Sequence, residues 1–223
     1  MTPTLDECLI ELATEAAADL ERSCARDGLS YVNERDHLQP SCASAARAIA
    51  GSWRPPAEVS TGFRFRSDLW PRLGGVDVAL IFAGQKPVAV ELKCGSGRNA
   101  LGPCAWDALK LAFALQIGEA SAAYLLAGTT TSDWAGGHRG TELFETAAVD
   151  TLILRGRFIE WWRQWERLGD PTPIKVPRRF TTRTIGIVPF EVGPLAWELR
   201  VAAVSVDSTD QIVWPLTLPR PIS

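Results

Sequence analysis

Residues 75–95, GVDVALIFAGQKPVAVELKCG, decide the fold. Two apolar runs flank Ala83-Gly84-Gln85-Lys86, a short connection of the kind that joins antiparallel strands, so strands are expected at 76–82 and 87–94. The charges in these runs are what need explaining. Asp77 lies inside the first run, and Glu91-Leu92-Lys93 ends the second. Residues two apart in a strand share a face, roughly 6.6–7 Å from one another. Glu91 and Lys93 therefore point one way and Val90 and Leu92 the other. If Asp77 lies across from Glu91, the connection is centred on Gly84, which suits a three-residue loop with a left-handed glycine. Asp77, Glu91 and Lys93 would then converge on one face within about 5–7 Å.

Two carboxylates that close repel each other unless a cation lies between them. Mg²⁺ is commonly held by one or two carboxylates, with water and substrate phosphate completing its shell. A lysine beside it can serve a metal-bound water or neutralise developing negative charge. That assembly suits phosphodiester hydrolysis. The plainer alternative is a half-exposed hairpin with a cross-strand Asp77–Lys93 pair, worth about 0.2–1 kcal/mol.

Outward from the hairpin the elements follow from spacing. Leu5, Leu9, Leu12, Ala16 and Leu20 share one face of a helix over 4–25, opened by a Thr4/Glu7 capping box. A second helix is expected from Ser41 to Ala50 and a strand from Glu58 to Arg66. After the hairpin come a helix from Cys104 to Gly118 and a buried strand from Ala122 to Ala127. Residues 129–140 read as a Thr/Gly loop, and 151–168 as an amphipathic helix with Phe158, Trp162, Trp165 and Leu168 along one side. The last 53 residues hold 8 of the 15 prolines, so short strands (Thr182–Val188, Trp197–Val206, Gln211–Leu216) are expected there rather than helix.

Asp77, thirteen intervening residues, then Glu91-x-Lys93 on consecutive strands resembles the signature of the PD-(D/E)XK, or restriction-endonuclease-like, nucleases. The helix, three strands, helix, strand order is similar to the core of that superfamily. The resemblance covers residues 4–129, although valine, not proline, precedes Asp77. It implies an α/β fold with a nuclease-like core over 1–129; residues 130–223, read from their own spacing as a helix plus β-rich extension, are expected to pack on that core as one domain. It implies a Mg²⁺-dependent nuclease, with Mn²⁺ as a substitute metal, acting on DNA in preference to RNA. Asp77 and Glu91 would bind metal, helped by the Leu92 carbonyl and by an acid of the first helix, Glu15 or Asp19. Lys93 would serve the attacking water. Ser96, Arg98 and Asn99, just beyond the catalytic strand, are candidate phosphate contacts. The rival is a non-catalytic module of the same fold that binds nucleic acid or a partner protein.

Charge bounds these readings. With 23 basic and 26 acidic residues the net charge is −3, too acidic for grip on a duplex by bulk electrostatics. The bases are gathered, eight of them with four acids over 150–185, where Arg178 and Arg179 are the candidate backbone contacts; a solvated helix face and linker is the plainer reading. No apolar run approaches the roughly 18 residues that span a bilayer. Five cysteines without Cys-x-x-Cys spacing fit reduced thiols in a cytoplasm. Gly95-x-Gly97-x-x-Ala100 fits a dinucleotide fingerprint literally, but Leu101-Gly102-Pro103 postpones the helix that the fingerprint requires. His37 and His138 are isolated in sequence, which argues against a histidine metal centre.

Overall fold

The computed structural model describes residues 3–65, 75–157, 174–206 and 209–214. The first helix, α1 (Leu5–Asp27), has the expected capping box: Glu7 N–H donates to the Thr4 hydroxyl and Glu7 accepts from the Thr4 main chain. It ends at Gly28, whose φ of 65° is the left-handed cap that glycine adopts without strain. Its apolar stripe is buried, with Leu9, Leu12 and Leu20 at 1% exposure or less; burial stabilises by about 1.5–3 kcal/mol for each such leucine. A single π-helical turn, Glu34–Leu38, is capped by the Asn33 side chain and runs directly into α2 (Gln39–Ile49).

The strands β1 (Ala57–Arg64), β2 (Gly75–Phe82) and β3 (Val88–Cys94) follow, then α3 (Cys104–Gln116) and β4 (Ala122–Thr130). The residues from 129 on, expected as loop, instead finish β4 and form a short helix, α4 (Thr131–Ala135), capped by the Thr130 hydroxyl. Next come β5 (Ala147–Asp150) and α5 (Thr151–Arg157); the rest of the helix expected to 168, with its tryptophans, lies outside the described residues. The chain continues with β6 (Ile174–Pro177), β7 (Arg179–Val192), β8 (Leu195–Ser205) and β9 (Gln211–Trp214).

The fold is mixed α/β, built on a seven-stranded sheet in the order β1-β2-β3-β4-β8-β7-β5, beside a small β6-β9 pair. Among the described strands only β3 and β4 run parallel, as the α3 crossover between them requires. The carboxy-terminal strands extend the sheet itself, since β8 pairs with β4 along its length. Alternation divides the core in two. Val78, Leu80, Val90, Leu92, Tyr124 and Leu126 pack under α1 and α2, whereas Ala79, Ala89, Ala123, Leu125 and Ala127 pack under α3. Small residues on the second face let the apolar α3 lie close to the sheet.

Where β7 passes under α1 its pairing with β8 shifts at a bulge between Thr184 and Gly186. A Cβ on Gly186 would stand 2.8 Å from the Ile10 side chain, so the bulge falls where the helix needs a bare backbone.

Candidate active site

The β2–β3 hairpin is centred on Gly84, whose φ is 74°. Its register pairs Leu80 with Val88 and Val78 with Val90. One step further, Asp77 comes opposite Glu91, but there the ladder stops. Instead the Asp77 carboxylate takes the place of a main-chain acceptor: Oδ2 accepts the Leu92 N–H at 2.8 Å. Asp77 is thus turned into the gap between the strands. A residue's N–H and C=O leave a strand on the same side, so the Leu92 carbonyl faces that gap as well. The second Asp77 oxygen, Oδ1, accepts from Gln39 Nε2 at 2.7 Å.

Glu91 and Lys93 share the α3 face, as alternation requires, and α3 meets them with charge. Lys110 Nζ lies against Glu91 Oε1 and 3.6 Å from Asp107 Oδ1, while Lys93 Nζ is 3.4 Å from Asp107 Oδ2. Lys93 also pairs with Glu34 Oε2 at 2.7 Å. The register sets Asp77 opposite Glu91, and alternation starts its side chain on the α3 face with Glu91 and Lys93; of the expected contacts, the Asp77–Lys93 pair of the plainer reading is the one corrected. Asp77 spends its oxygens on Leu92 and Gln39, and Lys93 takes Glu34 and Asp107 instead.

The acid expected from the first helix is also corrected. Glu15 is exposed, and Asp19 accepts from Ser41 at the α1–α2 contact; neither is hydrogen-bonded or ion-paired to the cluster. Glu34, on the π-helical turn, is the amino-terminal acid that arrives, with Gln39 Nε2 donating to both Glu34 (3.3 Å) and Asp77. Its sequence signal was the acid-rich Asn33-Glu34-Arg35-Asp36 cap, which marks a helical start but not where that start lands.

Four carboxylates (Glu34, Asp77, Glu91, Asp107) and two ammonium groups (Lys93, Lys110) leave a formal excess of two negative charges in a site that is largely dry. The Glu91 and Lys110 side chains are 5% and 8% exposed. Burial, with the charge of Asp107 added, pushes the Glu91 carboxyl well above its ordinary range despite Lys110. Burial likewise raises Glu34, and Lys93 only partly opposes it. For Lys93, burial disfavours the ammonium, but Asp107 and Glu34 outweigh it, so its pKa is raised and the group stays charged. Lys110 is held charged in the same way by Asp107 and Glu91.

A divalent cation fits this donor set. Glu91 Oε1 is buried against the Lys110 ammonium and Asp107 Oδ2 is buried 3.4 Å from that of Lys93, and neither oxygen has a neutral donor. Among the described residues no group of three or more His, Cys, Asp and Glu forms an all-protein cage. Mg²⁺ is commonly held by one or two carboxylates, with water and phosphate completing its shell, and Asp77 with Glu91 would supply such a pair.

The other expected contacts divide. Ser96, Arg98 and Asn99 are exposed on the turn after β3, at the same end of the sheet as the cluster. That turn is fixed by Gly95 N–H to the Gly128 carbonyl (3.1 Å) and by Gly97 N–H to Asp133 Oδ2 (2.9 Å). Arg178 and Arg179 are not brought to it. Arg178 pairs with Asp150 at 3.0 Å, and the start of β7 lies against the carboxy-terminal end of β8, beside the amino-terminal ends of β4 and β3. Three strand spacings and seven residues of rise place Arg179 roughly 25–30 Å from Lys93. Comparison of the chain with protein-family models, curated proteins and solved structures found no match.

Proposed function

We propose that the chain is a Mg²⁺-dependent nuclease of the PD-(D/E)XK kind, with a restriction-endonuclease-like core, hydrolysing phosphodiester bonds of DNA in the cytoplasm. One observation carries the reading: Asp77, Glu91 and Lys93, spaced in sequence as that signature demands, belong to one buried, net-negative cluster that also recruits Glu34 from the amino-terminal helical region. Asp77 and Glu91, with the Leu92 carbonyl, would hold the metal. A bound divalent cation supplies Lewis acidity toward the phosphate and a more acidic water. Lys93, kept protonated by Glu34 and Asp107, is unsuited to act as a general base. It acts as an ammonium that donates to the attacking water and opposes charge developing on the phosphoryl oxygens. Ser96, Arg98 and Asn99 meet the substrate backbone. Five buried, unpaired cysteines support a reducing compartment.

A non-catalytic module of the same fold has one observation in its favour: both lysines are already paired with carboxylates. The deciding experiment is cleavage of supercoiled and linear DNA, single-stranded DNA and RNA in Mg²⁺ or Mn²⁺. The nuclease reading expects wild-type cleavage of DNA, lowered on the order of 10²–10³-fold by Lys93→Ala, and loss of metal binding in Asp77→Ala. Wild-type protein inactive on every substrate, yet binding one with an affinity that neither substitution alters, would establish the module instead.

A further inference from the structure

We infer that Lys110 is a built-in counter-ion which a divalent cation must dislodge from Glu91, so that this lysine sets how tightly the site holds metal. The inference rests on the metal-site reading above and concerns a residue that the proposed hydrolysis does not use. Lys110 lies on α3 among Leu109, Leu111 and Phe113, all at 1% exposure or less, where an apolar side chain would be the ordinary occupant. Its ammonium is instead brought against Glu91 Oε1, 3.6 Å from Asp107 Oδ1, and donates to the Gly75 carbonyl at 3.3 Å. Gly75 opens β2 two residues before Asp77, so the ammonium lies between the start of that strand and Glu91, on the side where the two proposed metal ligands face each other.

Lys93 occupies a different place, between Glu34 and the other Asp107 oxygen. A cation bound at Glu91 Oε1 and the Lys110 ammonium lying against the same oxygen repel each other strongly in a buried site. Lysine is suited to yielding: its charge sits on a flexible four-carbon stem, and Asp107 and the Gly75 carbonyl remain as partners once Glu91 is given up. In this arrangement Lys110 neutralises the carboxylates when metal is absent and raises the concentration at which metal enters.

The test is titration of the full-length protein with Mn²⁺ alone, by calorimetry, for wild type, Lys110→Met, Lys110→Gln and Asp77→Ala, with thermal melting in EDTA and in Mn²⁺. Removing the competing charge is expected to tighten Mn²⁺ binding about tenfold or more. The Lys110 variants should melt below wild type in EDTA and recover most of the difference in saturating Mn²⁺. A merely structural lysine would lower the melting temperature in both media and leave affinity unchanged or weaker, and that result overturns the inference. If Lys110→Met does not fold, Lys110→Gln, which keeps a donor for the Gly75 carbonyl, decides by the same criterion. Wild-type binding that depends on Asp77 but gains nothing in either variant overturns the counter-ion role alone. No Asp77-dependent Mn²⁺ binding in wild type or in the Lys110 variants overturns the metal site with it.

Discussion

Glu91, 4% exposed, is the most buried carboxylate of the site. Its carboxyl is held above the roughly 4.3 of an unfolded glutamate, so between those two values the folded state binds more protons and stability falls as pH rises. Glu91→Gln has no such titration. In EDTA its stability relative to wild type should therefore improve from about pH 4.3 upward and level off above the folded value, as followed by urea midpoints. A wild type that gains on the variant as pH rises would contradict the assignment of burial as the dominant cause. Glu91, Lys93 and Asp77 were legible in the sequence because strand alternation and hairpin register depend on neighbours only. Glu34 was not, since helical periodicity says which residues of α1 share a face but not where the chain goes after Gly28. Asp107 and Lys110, with Leu111, are part of the superfamily resemblance in the helix after the hairpin, but nothing in the sequence assigns them a partner; their contacts with Glu91 and Lys93 appear only when α3 is laid over β3.

Among the elements, the turn after β3 connects the cluster to the proposed substrate backbone. Asp133 accepts from both Gly97 N–H and the Thr129 hydroxyl, tying that turn to the end of β4, and His138 Nε2 stands 3.5 Å from its other oxygen. Burial opposes the Asp133 charge, but the hydrogen bonds from Gly97, Thr130 and Thr129 outweigh it and hold its carboxyl below the usual range. Asp133→Ala should loosen the turn that presents Arg98, raising KM for DNA several-fold with kcat changed little. An equal loss in kcat would place Asp133 in the chemistry instead. The turn itself was legible from its glycines, whereas the short helix that supplies Asp133 was not, because five residues opened by threonine carry too little periodicity to tell helix from loop. The bulge at Gly186 was equally hidden: the need for a bare backbone comes from Ile10 on α1, far away in sequence.

At the scale of the whole molecule, the strands of 179–205 lengthen the sheet that carries the site and carry Arg178 and Arg179 to its opposite end. Under the proposed function, an acidic protein has to grip a polyanion through a small oriented surface, which would be the rim around Arg98. Arg98→Ala should flatten the slope of log affinity against log salt on duplex DNA by about 0.9, the share of one phosphate contact. Replacing Arg178 and Arg179 together should leave affinity and slope unchanged, since Asp150 already holds Arg178 and the distance exceeds a single backbone step; a flattened slope in that double variant would move the interface to the far edge. The order of the core elements was readable from spacing, but the placement of the carboxy-terminal strands was not, since pairing partners in a sheet are set by long-range contacts. Joint binding of a divalent cation by Asp77 and Glu91 beside Lys93 is tested most directly by anomalous diffraction from crystals soaked in Mn²⁺. A Mn²⁺ peak ligated by an Asp77 oxygen, a Glu91 oxygen and the Leu92 carbonyl, with Lys110 withdrawn from Glu91, is expected; no peak there at saturating Mn²⁺, with Lys110 still against Glu91, would refute the shared site.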